Sequence, residues 1–172
     1  MREYAVENGK PVDLKELEAS ALQLSSYKIT HQSLPIACHD VFIDYRGGIL
    51  LVTRNSNPAR GALWPLGGRV QRGTGTEESL RMKVLKESNL KLEGIVEIGH
   101  ARTFFGTDPF NHNRGTDTIN FVYTAQCKGA LRLDGDHRNP VLITPRMHTT
   151  EFKAALHPYV RDFLEIAMKS ML

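Results

Sequence analysis

The stretch that decides the reading is GGRVQRGTGTEESLRMKVLKESNLKL, Gly67 to Leu92. It opens on a glycine pair, crosses a loop rich in Gly and Thr, and enters a segment with helical periodicity from about Gly75 to Ser88. Leu80 and Val84 stand one turn apart and give that helix its apolar face. Thr74 and Glu77 have the spacing of a capping box, and Asn89 is a suitable stop. Lys83, Lys86 and Glu87 stand at i, i+3 and i+4 and share another face, on which the two lysines read as surface charges.

Upstream of this stretch, Pro35 opens an apolar strand through Tyr45, Arg46-Gly47-Gly48 reads as a turn, and Ile49 to Thr53 is a second strand. Arg54 to Ala62 holds Asn, Ser, Pro and Gly and reads as a loop. Leu63 to Leu66 is short, apolar, and runs into the glycine pair. Downstream, Ile95 to Phe105, Asp117 to Cys127 and Val141 to Thr144 read as strands. A last helix starts at His157-Pro158, with Tyr159, Val160, Phe163, Leu164 and Ala167 as its apolar stripe. Near the start, Leu14, Leu17, Ala21 and Leu24 recur at helical spacing, which predicts a helix from Asp13 to Ser25 capped by Asp13 and Glu16. The chain therefore divides into an N-terminal helical extension, residues 1–30, and a domain at 31–172. The order of elements indicates an α+β domain, an α/β/α sandwich with a mixed sheet flanked by helices.

The 172 residues, 41% hydrophobic and 24% charged, fit one soluble globular domain with enough chain to bury a core unaided by disulfides or metal. Cys38 and Cys127 are too few for a disulfide framework and lack metal-ligand spacing, so a reducing cytoplasm is expected. The polar, mixed-charge residues Met1 to Lys10 argue against a signal peptide, and no apolar run approaches the roughly 20 residues of a membrane span. With 22 basic against 19 acidic residues and no basic cluster interleaved with aromatics, neither nucleic acid nor membrane is an expected partner. The small positive surplus suits an anionic small molecule.

The glycine pair, loop and helix together resemble the Nudix box, whose helix carries glutamates that bind Mg²⁺ around a diphosphate. The full box reads Arg-Glu-hydrophobic-x-Glu-Glu-x-Gly; this chain reads Met82-Lys83-Val84-Leu85-Lys86-Glu87-Ser88-Asn89. Glu87 is the one helix carboxylate left, and Thr74 replaces a loop glutamate. Mg²⁺ takes octahedral oxygen ligands and uses one or two carboxylates with phosphates and waters. One glutamate can thus hold one ion on a substrate, but not the cluster that activates water against phosphorus.

The GDP-mannose mannosyl hydrolases have a similarly reduced box, and the chain resembles them over about Pro35 to Leu164. The matching residues are Asp40, Arg54 before Asn57-Pro58-Ala59-Arg60-Gly61, Trp64-Pro65-Leu66-Gly67-Gly68-Arg69-Val70-Gln71, Gly115-Thr116-Asp117, Leu133-Asp134-Gly135-Asp136-His137, and His157 with Arg161. This resemblance implies a Nudix domain at 31–172 that hydrolyses a GDP-mannose-like nucleotide-diphosphate sugar, water attacking the anomeric carbon. It implies His137 as general base, Arg54 and Arg69 on the leaving diphosphate, and Asp40 near the substrate; Phe105, of the Phe104-Phe105 pair, is a further candidate for substrate contact beside its reading as strand packing. It also implies one Mg²⁺, with Mn²⁺ as the alternative, on Glu87, the Gly67 carbonyl and Asp136, which stands where the family has glutamine. A homodimer is implied as well. Met82 departs from the family, which has an arginine assisting the leaving group there. Two other functions stay open: phosphoanhydride hydrolysis, with Asp134 and Asp136 replacing the missing carboxylates, and nucleotide-sugar binding without turnover.

Overall fold

The computed structural model describes residues 1–19 and 22–170. The chain begins with a small hairpin, β1 (Val6–Glu7) and β2 (Lys10–Pro11). Asn8 and Gly9 join its strands at φ 49° and 74°, the left-handed pair that a two-residue primed turn demands.

The helix predicted from Asp13 to Ser25 does not form as one element. Asp13 does cap, accepting from the Lys15 amide at 3.0 Å, but only a 3-10 turn follows, Leu14–Leu17. A separate helix, α1, spans Leu24–Ser33, and Ala21 lies outside the described residues. The leucine spacing found no core to face: Leu14, Leu17 and Leu24 stay 38%, 40% and 62% exposed. A helix gains most of its stability from burying its apolar face, and here that gain is missing.

The N-terminal segment serves the rest of the chain through polar contacts instead. Glu3 accepts hydrogen bonds from the Thr76 amide at 2.8 Å and from the Thr76 hydroxyl. The Leu17 carbonyl accepts from Arg72 Nε at 3.0 Å.

The main sheet has seven strands: β3 (Ile36–Tyr45), β4 (Gly48–Arg54), β5 (Leu63–Trp64), β6 (Leu66–Arg69), β7 (Lys91–Phe105), β8 (Thr116–Lys128) and β9 (His137–Ile143). β3 is central. One edge runs parallel to β8 from Ile36 to Asp44. The other edge is shared between two antiparallel strands, β6 along Cys38–Val41 and β4 along Ile43–Tyr45. β4 therefore parts from β3 after Leu50 and continues beside β5 on one edge and β9 on the other.

Three helices complete the domain: α2 (Thr76–Ser88), the short α3 (Thr150–Ala154) and α4 (Pro158–Ser170). Alternation along β3 sends Val41, Ile43 and Tyr45 to a core shared with Leu80 and Val84 of α2. Phe42 goes to a second core with Val160, Leu164 and Ala167 of α4. The sheet thus lies between helices, as the order of elements predicts. α3 was not expected from the sequence; it is a single capped turn in which Thr149 accepts from the Phe152 amide at 3.2 Å. The Thr74–Glu77 capping box is not made. Gly75 is the N-cap without a side-chain bond, and the distant Glu3 meets the first helical amide. Asn89 ends the helix in the left-handed conformation, φ 61°. Among the described residues no helix is long and apolar enough to cross a membrane.

Candidate active site

A cleft of about 370 Å³ lies among β3, β4, β6, β9 and the end of α2. Asp40, Arg54, Gly67, Arg69, Glu87, Phe105, Asp136 and His137 all line it, together with Trp64, Lys83 and Cys38. They come from six strands, the turn before β9 and the last turns of α2, so the cleft is an outcome of the fold and not of one local motif.

The glycine pair forms the floor. Gly67 pairs with Asp40 on β3 at φ 153°, and a Cβ there would lie 2.1 Å from the His39 carbonyl oxygen and 2.7 Å from Asp40 Oδ1. A Cβ on Gly68 would lie 2.8 Å from Cε of Lys83. The missing side chain of Gly68 is the channel along which Lys83 reaches the cleft.

Lys83 is not the surface charge that its helical position suggests. Its ammonium stands 2.7 Å from Glu87 Oε1 across one turn of α2. Glu87 is 4% exposed, and its Oε2 is buried with no partner among the described residues. Burial raises the Glu87 carboxyl above its ordinary range, and Lys83 draws it back. Lys86 is exposed and lies outside the cleft, as expected of a surface charge.

The segment after β8 is stitched to the end of α2. The Arg132 and Asp134 amides donate to the Ser88 and Glu87 carbonyls, each at 2.9 Å. Asn55 fastens the other side, its amide donating to the Asp136 carbonyl and its Nδ2 to the Gly135 carbonyl, each at 2.9 Å. This tether places Asp134 Oδ1 2.8 Å from Nδ1 of His137. An ionised carboxylate only accepts, so Nδ1 carries the hydrogen, and in the neutral ring this leaves the lone pair on Nε2. The His137 side chain is 8% exposed.

β9 begins at His137, ahead of the predicted start at Val141, and the ladder sets His137 opposite Arg54. A register shift after Leu51 absorbs Asn139 and Pro140. Proline has no amide for a ladder and sits at such irregularities, which is what hides this strand start in the sequence.

An aromatic wall backs the cleft. Trp64 stacks on Tyr159 at 5.3 Å and meets Phe105 edge-on at 5.8 Å. The Arg54 guanidinium lies 6.0 Å from the Trp64 ring, and its Nε is buried without an acceptor among the described residues. Arg69 rests 4.4 Å from the ring of Tyr27, so α1 contributes to the rim. Asp40 Oδ2 accepts from the Tyr159 hydroxyl at 2.6 Å. Burial pushes the Asp40 carboxyl up to about 6, restrained by that hydrogen bond. Burial also pushes the Cys38 thiol up to about 12, which keeps it an inert thiol.

Glu87, Asp134 and His137 offer ligand atoms that lie within 4.8 Å of one another, an acidic and imidazole group able to take a metal ion. Of the two side-chain ligands that the resemblance implies, Glu87 belongs to this group and Asp136 does not. Asp136 is exposed, and its amide donates to Asp134 at 3.0 Å. Asp134 and Lys83 are the site residues that the sequence reading left outside its core set. Asp134 carried a usable signal, since a carboxylate three residues before a histidine in a turn can reach its ring. Lys83 carried none, because nothing local distinguishes a lysine laid over a distant glycine from one in solvent.

No family model matches the sequence, and no curated protein matches it. Solved structures do match its fold. A MutT Nudix hydrolase from Burkholderia pseudomallei is 21% identical with a TM-score of 0.60, over 77% of this chain and 98% of that one. The MutT protein from Methanosarcina mazei is 19% identical with a TM-score of 0.59, over 80% and 96%. A bifunctional NMN adenylyltransferase/ADP ribose pyrophosphatase from Francisella tularensis is 14% identical with a TM-score of 0.57, over 84% of this chain and 46% of that one. With its mixed sheet between helices and its glycine pair ahead of α2, the chain has the Nudix fold.

Proposed function

We propose that this chain hydrolyses a nucleotide-diphosphate sugar of the GDP-mannose type, water attacking the anomeric carbon and a nucleoside diphosphate leaving. The observation that carries the reading is the His137–Asp134 pair set opposite Arg54 in the cleft. Nε2 of His137 takes a proton from the attacking water, while Asp134 holds the ring and stabilises the imidazolium. Arg54, Arg69 and Lys83 neutralise the charge that gathers on the leaving diphosphate. Attack from the opposite face inverts the sugar, as in an inverting glycosidase. Phe105 and Trp64 supply the apolar wall for a base or a sugar face, and Asp40 meets a substrate hydroxyl.

Gly67, Glu87 and Asp136, the set expected to hold Mg²⁺ or Mn²⁺, line the cleft together, but an ion on Glu87 would meet the Lys83 ammonium that stands 2.7 Å from Oε1. No step is assigned to it in this reading. The test is the fate of heavy-oxygen water over a panel of nucleotide sugars. Label on the sugar carbon with release of a nucleoside diphosphate supports the reading, and label on phosphate overturns it. Binding of the sugars with no turnover would leave a binding module.

A second reading is phosphoanhydride hydrolysis with Mg²⁺ or Mn²⁺ on Glu87, Asp134 and His137, favoured by the proximity of those ligand atoms. The Francisella tularensis protein with the same fold is named for ADP ribose pyrophosphatase activity. In this reading the ion supplies Lewis acidity, and His137 is a ligand and not the base.

A homodimer in a reducing cytoplasm belongs to the first reading. Its support is the exposed Leu22, Leu24, Ile29 and Leu34, at 55%, 62%, 64% and 59%, together with the two free thiols, Cys38 and Cys127. Light scattering that gives a monomer mass at micromolar concentration removes the dimer.

A further inference from the structure

We propose that the ammonium of Lys83 is the resident cation of this cleft. It takes the place of a divalent ion, so that a nucleoside diphosphate binds without metal, and Glu87 anchors the lysine. This rests on the reading of the cleft as a diphosphate site.

The exchange begins in the sequence. Lys83 stands where the full box has the first glutamate of its helix, so a negative ligand has become a positive charge. The fold then fixes that charge. The alkyl chain runs over Gly68, where any side chain would displace it, and the head group is held on Glu87 Oε1 at 2.7 Å. Of the three donors of an ammonium, one is spent on Glu87, and a side chain 37% exposed at the cleft has the others free for an anion.

A metal on the same carboxylate would compete with this arrangement. Only Glu87 Oε2 remains for it, and an ion there would sit within a few ångströms of a fixed ammonium, where like charges repel strongly in a partly buried site. The diphosphate has no such conflict. It would meet Lys83, Arg54 and Arg69 together, and it would give the buried Arg54 Nε the acceptor it lacks.

The test is titration of GDP into the protein, followed by calorimetry and by the fluorescence of Trp64, the one tryptophan of the chain. Each titration is run in excess chelator and again with Mg²⁺ or Mn²⁺, on variants shown to be folded by their melting curves. The wild type should bind GDP equally in both conditions, to within about threefold. In chelator, Lys83→Met should bind about 10–100-fold more weakly, as expected for loss of a charge-assisted contact. Lys83→Arg should retain most of the affinity. Lys83→Glu should bind only when Mg²⁺ or Mn²⁺ is added, and should gain a Mn²⁺ site detectable by water relaxation that the wild type lacks. Wild-type binding that appears only with metal overturns the inference and leaves the diphosphate reading intact, as does a Lys83→Met variant that binds like wild type in chelator. A folded wild type that binds neither GDP, ADP nor pyrophosphate under any condition overturns the diphosphate reading and this inference with it.

Discussion

His39 and Asp40 are neighbours on β3, both buried, facing opposite cores: His39 Nε2 lies 2.8 Å from Ser79 of α2, and Asp40 accepts at 2.6 Å from Tyr159 of α4. Their proton linkages to folding have opposite signs. Burial depresses the His39 imidazole from 6.5 to about 4, so its contribution to stability is present above pH 6.5 and lost as pH falls through 4. Burial raises the Asp40 carboxyl from 3.8 to about 6, so its contribution is present below pH 3.8 and lost as pH rises through 6. Each is worth on the order of 3 kcal/mol across its window, and over about pH 4–6 they offset one another. Urea midpoints should show this as changes of slope relative to the wild type. Asp40→Asn should make stability fall more steeply on acidification, and His39→Gln should make it fall less or rise. Parallel slopes in all three proteins would refute the linkage.

His137→Ala should lower turnover by at least ~10²-fold with little change in substrate affinity, because a base acts chiefly in the transition state. Asp134→Asn should cost about 10–100-fold, since the ring loses its orienting carboxylate while Nε2 remains. A metal-binding defect in His137→Ala would favour the phosphoanhydride reading instead.

Gly67→Ala tests the floor. The added methyl would lie 2.1 Å from the His39 carbonyl at a backbone φ of 153° that side chains disfavour. A loss of about 1–3 kcal/mol in chemical denaturation is expected, with β6 displaced from β3. Wild-type stability would show that the β3–β6 pairing is looser than the register implies.

Much of this arrangement could be read directly from the chain, and the part that could not has a common cause. Pro35 to Tyr45, the helix from Thr76 and the stripe of the last helix each declare themselves by periodicity, and the structure agrees. Local pattern also chose Thr74 as the cap of α2, where the partner is Glu3, 73 residues away. It extended a leucine spacing into a helix that finds no core. It missed the strand at His137 because Asn139 and Pro140 break its alternation. Contacts made across the fold, such as Lys83 over Gly68 or Tyr159 on Asp40, leave no mark on neighbouring residues and could only be located in three dimensions.

Glu3→Ala should uncap α2 and lower stability by about 0.5–2 kcal/mol, the range for a lost helix cap. Hydrogen exchange should report it first at the Thr76 amide, which then has no acceptor. Unchanged exchange at that amide would mean the N-terminal segment does not hold the helix in solution.

The floor of the cleft consists of main chain, with Gly67 and Gly68 laid against β3 and no side chain between. A surface made of peptide groups keeps its shape and polarity whatever the surrounding side chains become. Helix charges such as Lys83 are then free to exchange sign around a fixed seat. A sign change at such a position alters the charge around the seat without altering the seat, and the fold is compatible with wide change elsewhere: over the 77% of this chain that matches a solved Nudix hydrolase, 21% of the residues are identical.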